Sequence, residues 1–146
     1  MQRRHMLLSG IGLVTLALVP AARAEIPDAV AEAIREAVGA VDAIDGGIDF
    51  DLPERADNGA FVPFTVGVES PMTESDHVRA IHLFATSNPT PEIGSYRFTP
   101  ASGRAEVTGR LRLAEDQTVL AYAVMSDGSV RRAAAAVEVS VGGCIT

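Results

Sequence analysis

From Ile48 onward the apolar residues return at every second position. Ile48, Phe50 and Leu52 alternate with Asp49 and Asp51. Val62, Phe64, Val66 and Val68 alternate with Pro63, Thr65, Gly67 and Glu69. A period of two is the signature of a strand with one buried face. Further strand-like runs cover 77–85, 93–98, 104–113, 118–125 and 130–141, and the run at 118–125 is apolar throughout. Turn clusters punctuate them: Asn88-Pro89-Thr90-Pro91, Thr99-Pro100-Ala101-Ser102-Gly103 and the hairpin sequence Ser126-Asp127-Gly128-Ser129. About seven short strands in about a hundred residues predict a mainly β fold, an immunoglobulin-like antiparallel β-sandwich. A small barrel is the alternative. Pro63 inside its run argues for an edge strand or a bulge, because proline cannot donate to a ladder.

One segment departs from this rhythm. Val30, Ile34, Ala37, Val38 and Val41 recur at spacings of three and four, behind Pro27 and Asp28. Proline at a first turn and an acid at the positive end both favour a helix start. The sandwich is therefore preceded by a short N-terminal α-helix, from Pro27 to at least Val38. Gly39 stops it there, or the helix runs on towards Ile44 before the Gly46-Gly47 turn.

The first 24 residues read as a cleaved export signal. Arg3 and Arg4 precede an apolar stretch from Met6 to Val19, Pro20 ends it, and Ala22-Arg23-Ala24 fits a small-x-small cleavage site. The paired arginines point to the twin-arginine route, with the general route as the alternative. That apolar stretch is shorter than the ~20 residues that span a bilayer, so no membrane span is expected. The domain then comprises 25–141 and works in the periplasm. All twelve basic residues are arginine; three leave with the signal and all nineteen acids stay, which takes the net charge from −7 to −10. Such a charge argues against a nucleic-acid partner. With no Trp, five Phe and two Tyr, a lone sandwich buries a modest core, and a permanent partner covering an apolar face would help.

Chemistry-bearing residues are few. The chain ends Gly142-Gly143-Cys144-Ile145-Thr146, and Cys144 is its one cysteine. Two glycines after a strand make a flexible tether, so 142–146 is read as a C-terminal arm with the thiol near its tip. Free cysteines are usually buried, whereas chain termini are solvated; a reachable thiol can ionise and exchange with disulfides. A single cysteine excludes an internal disulfide framework and a cysteine-cluster metal site. His77 and His82 lie five apart on one predicted strand and face opposite sides, so they share no metal and read as surface or interface histidines. Asp49 with Asp51, and Glu115 with Asp116, read as solvated acids. Arg131-Arg132 is a basic spot at a strand end that could steady an anionic adduct. No catalytic residue, metal site or cofactor site is expected.

Several segments together resemble one family. Asp57-Asn58-Gly59 with Val62-Pro63, Ser70-Pro71-Met72, Asn88-Pro89-Thr90-Pro91, the stretch from Arg110 to Gln117, Asp127-Gly128 and the terminal Val141-Gly142-Gly143-Cys144 follow the order of SoxY, the sulfur-carrier subunit of the bacterial periplasmic thiosulfate-oxidising system. The Gly-Gly-Cys ending after a valine-rich strand is the most specific of them. The resemblance implies a heterodimer with SoxZ and covalent attachment of sulfur intermediates to Cys144. It implies transient service by a haem enzyme, SoxAX, which joins thiosulfate to the thiol, the hydrolase SoxB and a sulfur dehydrogenase. The carrier itself is not an enzyme. One departure stands out: the family ending is Gly-Gly-Cys-Gly-Gly, whereas Ile145-Thr146 follow the cysteine here, adding a β-branched side chain beside the sulfur. The alternatives are an exported structural or interaction sandwich with an incidental tail cysteine, and a thiol enzyme acting alone.

Overall fold

The computed structural model describes residues 25–142; residues 1–24, where the sequence predicts an export signal, and residues 143–146 lie outside the described residues. The helix α1 spans Asp28–Val38, with Pro27 before it and Asp28 in its first turn. Gly39 ends it at φ 82°, donating its N–H to the Arg35 carbonyl. This is the shorter of the two expected helices, and Val41 beyond it is left exposed.

Nine strands follow: β1 Ile44–Asp45, β2 Asp49–Asp51, β3 Arg55–Ala56, β4 Val62–Val68, β5 Val78–Ala85, β6 Glu92–Arg97, β7 Ala105–Leu111, β8 Gln117–Met125 and β9 Val130–Val139. A 3₁₀ turn, Pro100–Ser102, links β6 to β7. One sheet has the order β1-β9-β8-β5-β6, with β3 also against β9; the other has the order β2-β4-β7. The strands of three or more residues pair antiparallel, as the immunoglobulin-like sandwich requires. The two-residue strands β1 and β3 are additions to the strands expected from periodicity, and β1 falls where the longer helix would have ended. Both pair with β9 in parallel, Ile44 opposite Arg131 and Arg55 opposite Glu138.

The main core lies between the sheets, where Val62, Phe64 and Val66 of β4 meet Ile81 and Leu83 of β5 and Val119, Ala121 and Ala123 of β8. The unbroken apolar run of β8 has a simple cause. Leu120 and Tyr122 point to the opposite face and, with Phe84 of β5, form a second core that α1 covers through Val30, Ala33, Ile34, Ala37 and Val38. Phe84 and Tyr122 meet edge to face at 5.8 Å. The central strands are thus buried on both sides.

Three local expectations are corrected by the packing. Pro63 lies in the middle strand of its sheet, not at an edge, but β2 ends at Asp51 opposite Thr65, so no ladder partner lies beside Pro63 on that side. His82 is not a surface residue: it is 8% exposed, with Nδ1 3.1 Å from Glu92 Oε1 and 3.2 Å from Ser95 Oγ. His77 precedes β5, and its Nδ1 lies 3.0 Å from the Thr73 carbonyl oxygen. In Ser70-Pro71-Met72, the Met72 N–H bonds the Ser70 hydroxyl, and Met72 takes the left-handed region at φ 52°; its side chain is in the main core.

Candidate functional site

Cys144 and Gly143 lie outside the described residues, so the site is built here from where the chain leaves the sandwich. At that point β9 ends at Val139, and its continuation is held by residues distant in sequence. The Glu138 N–H bonds the Glu54 carbonyl, the Val139 N–H bonds Asp116 Oδ1 at 2.6 Å, and the Ser140 N–H bonds the Ala56 carbonyl at 3.0 Å. The Gly59 N–H donates to the Val141 carbonyl at 2.7 Å, and the Gly59 carbonyl accepts the Leu113 N–H, also at 2.7 Å. Gly59 therefore ties the root of the arm to the loop after β7. Its own turn is set by Asn58, whose Oδ1 accepts the Ala60 N–H and whose carbonyl accepts the Phe61 N–H.

The loop after β7 is fixed in turn by Asn88. Its Nδ2 donates to the Arg112 carbonyl at 2.8 Å, and its Oδ1 accepts the Ala114 N–H at 3.0 Å and Gln117 Nε2 at 2.8 Å. Gln117 is buried and also accepts the Ser87 N–H at 2.9 Å. This loop presents the Ala114 carbonyl to Gly142. A Cβ placed on Gly142 would overlap that carbonyl oxygen and lie 3.3 Å from the carbonyl carbon. Three of the sequence segments that stood apart, 57–59, 88–91 and 110–117, thus converge on the root of the arm. Of the arm glycines, only Gly142 is described, and the structure gives it a packing requirement besides the conformational freedom expected from sequence.

Beside the root runs a groove of about 920 Å³ whose lining includes Glu54, Arg55, Asp116, Gln117 and Glu138. Its charged lining is carboxylate apart from Arg55, which pairs with Glu138 at 2.9 Å, so the groove offers an anion little attraction. Asp116 is more than a solvated acid, since it caps the Val139 N–H. Asp49 and Asp51 are exposed on β2, as expected. Arg131 and Arg132 sit at the start of β9, on the order of 25 Å along the strand from its end. Arg132 bonds Asp45 at 3.0 Å and the Tyr122 hydroxyl at 3.2 Å. Burial disfavours its charge, yet these two partners hold its pKa above the ordinary arginine value. Arg132 is thus engaged in holding β9 to Asp45 and Tyr122.

Sequence reasoning missed Gly59, Asn88, Asp116 and Gln117 as determinants of the root. The available signals were an Asn opening a Pro-rich turn and a lone Gln at the head of an apolar run. Among the described residues, no group of three or more His, Cys, Asp or Glu could hold a metal, and no helix is long and apolar enough to cross a membrane.

A family model described as sulfur oxidation protein SoxY matches residues 34–144. The chain belongs to the SoxY family. The match covers the second half of α1, both sheets and the chain up to Cys144. Among solved structures, the sulfur carrier protein SoxY of Chlorobium limicola f thiosulfatophilum is similar at 28% identity and a TM-score of 0.65, covering 77% of this chain and 96% of that one. A superoxide reductase (neelaredoxin) from Ignicoccus hospitalis matches at 19% identity and TM-score 0.57, over 64% of this chain and 80% of that one. A putative superoxide reductase from Thermotoga maritima matches at 20% and 0.58, over 66% and 93%. These two share the sandwich alone. No curated protein sequence matches.

Proposed function

We propose that this SoxY-family chain is a non-catalytic sulfur carrier that binds sulfur intermediates covalently on Cys144 and presents them to other enzymes. The observation that carries the reading is the family match, which runs through to residue 144, where the sequence places its one thiol behind Gly142-Gly143. The likeness to the Chlorobium sulfur carrier over nearly all of that protein supports it.

The chemistry asks little of the carrier. In the loading step the Cys144 thiol and thiosulfate join through a new sulfur–sulfur bond; one proton is released and two electrons pass to the haem enzyme SoxAX. In the next step the hydrolase SoxB adds water to the terminal sulfonate, releasing sulfate and leaving a persulfide on Cys144. A sulfur dehydrogenase then adds three oxygens from water to that outer sulfur, taking six electrons, and a second hydrolysis restores the thiol. The carrier supplies only the attacking sulfur and access to it, and it needs no cofactor of its own. Residues 1–24 act as a cleaved twin-arginine signal and place the carrier in the periplasm, where SoxZ is its heterodimer partner.

The test is intact-mass analysis after incubation with thiosulfate and the haem enzyme. An adduct confined to Cys144 is expected, and its absence from a Cys144→Ser protein. Thiosulfate oxidation sustained by Cys144→Ser would overturn the reading.

A further inference from the structure

The contacts around the last described residues are out of proportion to what a free tether needs. A tether requires only an exit from the sheet. Here the chain past β9 is held at Ser140 by Ala56 and at Val141 by Gly59, and Gly142 lies packed against the Ala114 carbonyl so closely that a Cβ would overlap it. The two loops that do the holding, 57–61 and 112–117, are joined by the Leu113–Gly59 bond, and the second is fastened to Asn88 by three hydrogen bonds.

We infer that these loops form a latch that fixes the chain as far as Gly142, with Gly59 and Asn88 as positioning residues, and that glycine stands at 142 to allow the close approach of the Ala114 carbonyl. That the latch presents a sulfur-bearing thiol rests on the carrier reading; that it fixes the root does not. The consequence for reach is severe. Two peptide steps separate Gly142 from Cys144, so the Cys144 Cα lies within about 8 Å of the Gly142 Cα whatever path the chain takes. An enzyme acting on the thiol must therefore come close to the root of the arm, where Val141 is 63% exposed and Phe61 60% exposed.

The single cysteine makes the latch measurable. A nitroxide placed on Cys144 of the full mature chain reports the motion of the arm without any sulfur chemistry. Gly142→Ala and Asn88→Ala should each sharpen the label's spectrum, and Asn88→Ala should speed amide exchange at Ala114 and Leu113 roughly tenfold. Transfer to partner enzymes should lose about three- to tenfold in kcat/KM, because the root of the arm at Gly142 no longer has a set position. Reaction of the thiol with a small disulfide reagent should stay as in the unaltered protein. If Asn88→Ala does not fold, Asn88→Asp takes its place, since it keeps the acceptor and loses the donor to Arg112. The latch is refuted if label motion and amide exchange are unchanged in these variants, or if Gly142→Ala moves the label no more than Gly143→Ala does. Failure of the carrier reading would look different: no adduct on Cys144, with the label response intact.

Discussion

The two ends of β9 are held by different kinds of bond. At its start the β8–β9 hairpin closes on itself: Asp127 Oδ1 accepts the Ser129 hydroxyl at 2.6 Å and the Ser129 N–H at 2.8 Å, and the Met125 N–H bonds the Ser129 carbonyl. Those partners lie within four residues of one another, with Asp127 exposed at the tip. At its finish the partners are Glu54, Ala56, Gly59 and Asp116, which the chain must bring in from other strands and loops. The turn itself is made by local chemistry, and its tie to the rest of the fold is the pair of bonds between Ser126 and His77. An exit whose position must be set needs the whole sandwich to be in place first.

The contrast can be broken by substitutions at the two ends. Leu113→Ala should cost the most, about 2–5 kcal/mol in a urea-unfolding series, because its fully buried side chain would leave a cavity in the main core. Next comes Asn88→Ala, which removes three hydrogen bonds at roughly 1 kcal/mol each; thermal unfolding should place it about 2–3 kcal/mol below the unaltered protein. Asp116→Ala removes one bond to an exposed carboxylate and should cost about 1 kcal/mol, with faster exchange of the Val139 amide as its signature.

The smallest effect belongs to the hairpin. The Ser129 hydroxyl and N–H hold the Asp127 carboxyl below its ordinary pKa. A group lowered in the folded state stabilises the fold above its ordinary pKa, and that contribution is lost as the pH falls through the lowered value. Asp127→Asn should therefore flatten the acid limb of the stability curve slightly and leave neutral pH little changed. Should Asp127→Asn cost as much as Asn88→Ala in the same denaturant series at neutral pH, the difference drawn between the two ends does not exist.

How far the sequence foretold this follows from what each signal requires. Periodicity needs several residues, so α1 and the seven longer strands were legible from Val30, Phe64, Leu120 and their neighbours, whereas β1 and β3, two residues each, have no period to read. Pro63 and His82 were misplaced because burial depends on which strands flank them, and strand order is a tertiary property. Cys144 and its glycines stood out by type and position. Asn58-Gly59, Asn88 and the 110–117 stretch stood out only as separate turns, since nothing in a linear chain announces that three turns from different connections meet at one carbonyl.

The last strand is braced on both flanks against a load applied at its end. β9 pairs with β8 from Val130 to Val137, and on its other flank β1 and β3 grip it near the two ends in parallel. A partner that grasps the terminal residues and pulls along the strand loads these bonds together in shear, instead of peeling them off singly. A pull on the end of β9 is therefore shared across its neighbours and does not unravel the sandwich strand by strand.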